Sequence, residues 1–479
     1  MSNLSELLPA GAGAKSADFV ASGTLGSGVT VGLKADGTVE AISETVVSSF
    51  TGAKATFATE IDSNYQGCGF DPISGKFLIA YRDLLNSGYI TGVVATISGT
   101  SVSFGTPVVV ESVGSTDPNI VYDESAAKLV VAYNSGGSNF RAVVATISGT
   151  SVSYGTAASI GIGSANISGA YSSAASKIVF AYTDSSATSD GKTVVATVSG
   201  TSISLGTPTT YETGTTSYTS ICYDPNEDKF IIAYKKPSLS SGYGVAVVGT
   251  LSGTSVSFGT QQTFNAAVTN FVTCCYDPLA QKVLFVYRDV GNSGYATMLV
   301  ATVSGTSLSF GAEATLIAQA TSEYMSSVYD SNANVCLVVL NWGSGGAVYK
   351  VSISGTTPTS TSVLSTSVRS QGSGIAFDSS TSNSLIAFRN SSASDIGQAL
   401  PFRVGYAVTN NTSFIGITDA AISSAATGTV IVQGGVSEKV TGLTTGSDYY
   451  VQDDGSLSTT VSSVPAGRAL SSTSILLEG

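Results

Sequence analysis

Residues 223–260 read YDPNEDKFIIAYKKPSLSSGYGVAVVGTLSGTSVSFGT. An aromatic opens the stretch and an Asp-Pro turn follows. Then come an unbroken apolar run, a variable loop, a second apolar run, a Ser-Gly-Thr turn and a short alternating run. The same order recurs along the chain behind seven openers: Phe70, Tyr122, Tyr171, Tyr223, Tyr276, Tyr329 and Phe377. Eleven residues after each opener stand Tyr81, Tyr133, Tyr182, Tyr234, Tyr287, Leu340 and Phe388. The openers lie 52, 49, 52, 53, 53 and 48 residues apart. A period of about 50 residues built only of short strands specifies a β-propeller rather than a helical solenoid.

Each repeat reads as four strands, a to d from axis to rim. Strand a ends at the opener. The turn after it carries Asp at its start and polar residues inside, which suits an Asx-type turn. Strand b (FLIAY, LVVAY, IVFAY, FIIAY, VLFVY) is apolar without alternation, so both of its faces must be buried. Strand c (GVVATI, AVVATI, TVVATV) ends in a tight turn at Gly99, Gly149, Gly200, Gly253, Gly305 and Gly355. Strand d (SVSFG) alternates Ser with apolar residues, as a strand with one wet face does.

The seventh repeat has strands a, b and c only, the last spanning 398–408, and no SGTSVSFG follows it. An orphan d-like segment, 47–57, precedes the first repeat. It is expected to supply the missing rim strand and close the ring, leaving no open edge. The reading is therefore all-β: a seven-bladed β-propeller over 44–405, closed by an N-terminal strand. A 1–43 segment with a hairpin at Ala35-Asp36-Gly37 precedes it, and a small β unit over 406–479 with a hairpin at Asp454-Gly455 follows. The two hairpins flank the closure strand and are expected to lie together.

Of the 479 residues, 42% are hydrophobic and 11% charged; net charge is −12 and the isoelectric point about 4.4. With 20 scattered Lys and Arg, the chain lacks the basic patch that nucleic acid requires. It contains no histidine, which removes the commonest general base and neutral metal ligand. Cys68, Cys222, Cys274, Cys275 and Cys336 lie in predicted inner strands and read as buried small hydrophobes, not a disulfide or zinc framework. Asp224, Glu227 and Asp228 belong to a turn without calcium-loop spacing. No cofactor or metal is expected. The N-terminal MSNLSELLPAGAGAKS has no basic segment leading into a long apolar stretch, so no secretory signal is read. No apolar run reaches the roughly 18 residues that a membrane helix needs.

In a propeller the a–b and c–d turns share one side, where the copies are nearly identical. The b–c and d–a connections share the other, where lengths vary. That loop side carries Arg82, Asp83, Tyr89, Asp184, Tyr243, Arg288, Asp289, Tyr295, Trp342 and Arg389. Two readings stand: a ligand surface of aromatics, guanidiniums and carboxylates, or polar groups that cap strand ends. Asp83, Asp184 and Asp289 invite comparison with glycosidase carboxylates. No S-x-D-x-G-x-x-W motif accompanies them, and no enzymatic activity is expected. The negative charge disfavours bare anionic polymers as ligands unless cations bridge them.

The stretch LSELLPAGAGAKSADFVASGTLGSGVTVGLKADGTVEAI resembles the start of fibre-like virion proteins of marine bacteriophages, cyanophages in particular. The VVATISGTSVSFGT units look like propeller repeats in those proteins. GLTTGSDYYVQDDGSLSTT with AGRALSSTSILL is similar to C-terminal segments of phage tail and fibre proteins. The resemblance implies a structural protein on the virion exterior, made in the host cytoplasm and displayed for host-surface attachment as a phage fibre or tail-associated component. Its implied partners are other virion proteins through the N- and C-terminal segments, a host cell-surface glycan or protein, and copies of itself, a homo-oligomer with a trimer preferred. The alternatives are a capsid decoration protein, a bacterial lectin-like adhesin and a polysaccharide-degrading propeller enzyme.

Overall fold

The computed structural model describes residues 15–62, 66–137, 139–185, 189–240, 242–321, 325–342, 345–366 and 370–478. It is an all-β, propeller-type fold; the only helical segments among the described residues are four single 3-10 turns. The chain forms two compact units, Ser49–Val404 and a second made of Met1–Ser48 with Gly405–Gly479.

In the first unit every repeat folds as an antiparallel meander. In the first repeat, Gly67–Asp71 pairs with Lys76–Asp83, which pairs with Tyr89–Ser98, which pairs with Ser101–Phe104. The a–b turn is held by its first carboxylate. Oδ1 of Asp224, Asp277 and Asp330 each accepts the N–H groups two and three residues on, at 2.9–3.2 Å. The c–d turn has two residues between the paired Ser98 and Ser101, with Gly99 at φ 58°, where a β-carbon would strain the backbone.

The cores lie between repeats, not within them. Strand b splits its side chains: Phe77, Ile79 and Tyr81 pack with Ala376, Leu385, Ala387 and Ala399 of the seventh repeat. Leu78 and Ala80 pack with Leu129, Val131 and Tyr133 of the second. The same division recurs between each pair of successive repeats. Strand b is therefore apolar at every position, each fully buried side chain contributing about 1.5–3 kcal/mol.

Strand d does not end at SVSFG. After a break at Gly105 the chain enters Val108–Asp123, one continuous strand. Its first part pairs with strand c of its own repeat (Val108↔Gly92), and its second part with strand b of the next (Asn119↔Ala132). Gln262–Asp277 makes the same crossing. A connection expected to be a loop is here a bent strand.

The break has a purpose. A β-carbon on Gly105 would stand 1.8 Å from the Thr150 carbonyl oxygen, in the Ser-Gly-Thr turn of the next repeat. Gly155 meets Thr201, Gly206 meets Thr254, Gly259 meets Thr306 and Gly311 meets Thr356 in the same way. Gly52 does so with Thr100. Gly52 lies between Phe50–Thr51 and Ala55–Ala58, both of which pair with Ile396–Arg403, the third strand of the seventh repeat. The N-terminal side of the chain thus supplies that repeat's outer strand. The third strand ends at Arg403, short of the expected 408. Val47 falls instead in Glu44–Val47, which pairs with Tyr406–Thr409 in the other unit.

The second unit joins the two ends, whose hairpins are expected to lie together. Ser16–Val20 and Thr30–Leu33 pair with Thr427–Val432 and Phe414–Thr418, so one sheet draws on both termini. The N-terminal strands are too few to bury a face alone. Val31 and Val39 bury theirs against Ile422, Val430 and Val432. In the two Asp-Gly turns, Gly37 and Gly455 adopt φ 82° and 81°, and Thr30 Oγ1 donates to the Gly455 carbonyl at 2.6 Å.

The close approach is testable. Gly105→Ala or Gly206→Ala must push a neighbouring repeat's turn outward and is expected to cost about 1–3 kcal/mol. Gly114→Ala, whose added carbon would meet only Ser87 O at 3.5 Å, is expected to stay within about 0.5 kcal/mol of wild type. Urea midpoints of the three variants provide the measurement.

Candidate functional site

The loop side is assembled from the C-terminal ends of strand b. Twelve residues after the openers stand Arg82, Asn134, Thr183, Lys235, Arg288, Asn341 and Arg389. They pair on one side with strand c, as in Arg82↔Ile90, and where a strand a partner is described it lies near that strand's start, as in Asn134↔Thr116, Lys235↔Ser217 and Arg288↔Asn270.

The acidic candidates are engaged in the fold. Asp83 and Asp289 cap the 3-10 turns Leu84–Asn86 and Val290–Asn292, accepting from Leu85 N (3.1 Å) and Gly291 N (2.9 Å). Asn390 does the same for Ser391–Ala393 through Ser392 N. Asp184 is buried and accepts from Lys192 Nζ at 2.5 Å. Arg82 pairs with Asp62 at 2.5 Å and Arg389 with Asp395 at 2.6 Å. Two further pairs, Arg141–Glu111 and Lys236–Glu212, were not singled out in the sequence, because their members lie far apart along it.

The aromatic candidates hold one structural place. Tyr89, Tyr243 and Tyr295 begin strand c, opposite Asp83, Lys236 and Asp289, and all three are half-buried. Trp342 faces Gly345 and leans on the core between the fifth and sixth repeats.

The sequence did not point to a bulge near the start of strand a. Five residues before the opener the backbone turns left-handed at Asp117, Asn166, Tyr218, Phe271 and Gly372, with φ between 52° and 56°. The strand a–strand b register shifts at the same place. No residue type is shared by these positions, so no motif marked them. Beyond the bulge, the inner strands surround a cavity of about 720 Å³ that residues of all seven repeats line. Small hydroxyls link its wall: Ser168 Oγ accepts from Ile221 N (3.2 Å) and Ser220 Oγ from Cys274 N (3.1 Å).

The cysteines stand free, and four are buried. Burial pushes the Cys68 thiol up to about 12. A hydrogen bond with Cys274 and burial hold Cys222 well above the ordinary thiol range; Cys275 and burial do the same for Cys336. Among the described residues no three acidic or cysteine side chains gather in a way that could hold a metal ion.

No family model and no curated protein matches this chain. Solved structures do resemble it. The BP39L lectin from Burkholderia pseudomallei aligns with a TM-score of 0.52 at 10% identity, over 73% of this chain and 99% of its own. A protein of unknown function from Dyadobacter fermentans aligns at 0.48 and 9% identity, over 74% and 99%. AofleA from Arthrobotrys oligospora gives 0.41 and 8%, over 71% and 94%. At these identities the likeness is one of fold.

Two outcomes follow. Asp289→Ala removes a cap and is expected to cost about 0.5–2 kcal/mol. Asp289→Asn is expected to be nearly neutral, because Asn390 already fills that role in the seventh repeat; paired thermal melts decide. A thiol-reactive disulfide reagent at pH 8 is expected to leave all five cysteines unmodified until denaturant is added, read by absorbance.

Proposed function

We propose that this chain is a non-enzymatic attachment protein: a seven-bladed propeller, displayed as a phage fibre or tail-associated component on a virion exterior, that binds cell-surface glycans through its loop side. The observation that carries this reading is the asymmetry between the two sides. The a–b turns repeat one geometry, held by an Asp carboxylate in six repeats and by the Ser172 hydroxyl in the third, whereas the loop side varies and carries half-buried Tyr89, Tyr243 and Tyr295 at equivalent positions. Aromatic faces stack on sugar rings, and guanidiniums bond hydroxyls. The carboxylates that a glycosidase would need are occupied as caps and ion pairs, which supports binding without hydrolysis. The virion setting rests on the N- and C-terminal stretches that resemble phage fibre proteins. A bacterial adhesin is the second reading, and the likeness in fold to a bacterial lectin favours it. Copies on one particle would add many weak contacts, each about 1 kcal/mol, into useful avidity.

Binding of the purified chain to an array of bacterial surface polysaccharides tests the reading. Tyr89→Ala with Tyr295→Ala is expected to weaken binding about thirtyfold, the equivalent of about 2 kcal/mol. Lys128→Ala with Lys229→Ala, on the turn side, is expected to leave it unchanged. Loss with the turn-side pair alone would reverse the assignment of faces, and release of reducing ends from a bound polysaccharide would refute the non-enzymatic reading.

A further inference from the structure

The cations of the loop side are not alike. Arg82, Arg141, Lys192, Lys236 and Arg389 each pair with a carboxylate. Among the described residues, Lys235 and Arg288 have none. Lys235 Nζ donates only to the amide oxygen of Asn270, at 2.8 Å. Arg288 is half-buried and, among the described residues, makes no side-chain hydrogen bond; its buried Nε is unpartnered there, as are those of Arg82 and Arg141. The sequence explains the difference. Asp62, eight residues before its opener, neutralises Arg82; the corresponding residues of the fourth and fifth repeats are Thr215 and Val268. In a chain of net charge −12, two adjacent uncompensated and partly desolvated cations are a local exception, and burial lowers the Lys235 pKa.

Between these cations lies an aromatic pair. Tyr218 and Phe271 occupy the left-handed bulge position of the same two repeats, at φ 54° and 53°, with ring centroids 4.8 Å apart and planes at 56°. Lys235 Nζ stands 5.8 Å over the Tyr218 ring. Asn270, which accepts from Lys235, is the strand partner of Arg288, and this brings the second cation to the pair; burial raises the Tyr218 hydroxyl pKa and the Arg288 charge draws it back. The bulge itself is structural, since Asp117, Asn166 and Gly372 share it. Its geometry does not call for aromatics: a bulky side chain there costs about 1–2 kcal/mol, which Asn or Gly largely escapes. Tyr218 also lines the central cavity, so the pair stands at its loop-side mouth.

From the two uncompensated cations and the strained aromatic pair between them, we infer that the loop-side mouth of the fourth and fifth repeats is a binding site for an acidic sugar unit, carboxylated or sulfated. The Arg288 fork matches a planar or tetrahedral oxyanion, Lys235 adds a second charge, and Tyr218 with Phe271 presents an apolar wall to the pyranose ring. This deepens the glycan reading above and rests on it.

Isothermal titration of the full chain tests the site, with three probes: trigalacturonate, the same trimer reduced at its carboxyls to neutral galactose units, and a sulfated galactan tetramer. At least one acidic probe is expected to bind saturably, more weakly as salt rises, and at least about tenfold tighter than the neutral trimer. The trimer and the tetramer separate a carboxylate from a sulfate preference. Arg288→Gln and Lys235→Gln are each expected to lower that affinity about tenfold or more with an unchanged melting temperature. Tyr218→Asn, which suits the bulge, is expected to lower affinity while leaving stability unchanged or raised. Arg82→Gln, at a cation already paired, is expected to have no effect on affinity. Equal binding of acidic and neutral trimers, or no response to Arg288→Gln, would overturn the acidic-sugar site and leave glycan binding standing. No binding of either acidic probe would overturn the site as well, and only a blank polysaccharide array would take the broader reading with it.

Discussion

No repeat of this protein owns a core. The apolar side chains of each strand b are shared out to alternate sides, so every cluster is built half from one repeat and half from the next. A repeat taken alone would expose both faces of its most hydrophobic strand. Stability is therefore a property of the closed series, and the last interface matters as much as the first: Leu385, Ala387 and Ala399 of the seventh repeat bury Phe77, Ile79 and Tyr81 of the first. Ring closure by the segment 50–58 satisfies the same need at the rim, where an unpaired strand edge would otherwise remain.

How closely the repeats approach is set by one short contact. The glycine after strand d presses its α-carbon against the carbonyl of the next Ser-Gly-Thr turn, and the contact recurs from Gly52–Thr100 to Gly311–Thr356. It is missing between the sixth and seventh repeats for a structural reason. The seventh repeat's outer strand arrives from elsewhere in the chain, so it has no Ser-Gly-Thr turn to offer. The sixth repeat accordingly runs its outer strand unbroken as Thr357–Thr366, with no glycine. The break at glycine and the turn it meets form one device, and they are absent together.

Features that repeat were legible in the sequence, and features that depend on contacts across repeats were not. The apolar strand b, the Asp-led turn and the Ser-Gly-Thr hairpin each recur with their own local chemistry, so reading one copy against the others exposes them. The left-handed bulge recurs in five repeats among the described residues, yet Asp117, Asn166, Tyr218, Phe271 and Gly372 share no chemistry, and only backbone angles reveal it. The crossing strand Val108–Asp123 was hidden for another reason: its halves serve two different sheets, and its register shifts between them. The second unit mixes strands about 400 residues apart in sequence, a pairing that local pattern cannot report. On the loop side the residue types were legible and their roles were not. Asp83 and Asp289 read as ligand contacts or, more readily, as caps, and their acceptor bonds show them as caps.

The near-repetition of the chain is also what makes its departures informative. Where seven positions are equivalent, the others define what the scaffold alone requires, and a residue that exceeds the requirement calls for a different cause. A cation at the end of strand b is compatible with the scaffold when a carboxylate answers it, as Asp62 answers Arg82 and Asp395 answers Arg389. Asn134, Thr183 and Asn341 show that no cation is needed there at all. Lys235 and Arg288 meet neither condition, and the same two repeats place aromatics where the bulge accepts glycine. Two independent departures coincide at one mouth of the cavity, one of charge and one of backbone strain. The scaffold requires neither, each costs the free protein something that the Lys235–Asn270 hydrogen bond and the contact of the two rings offset only in part, and the proposed anionic ring would make use of both.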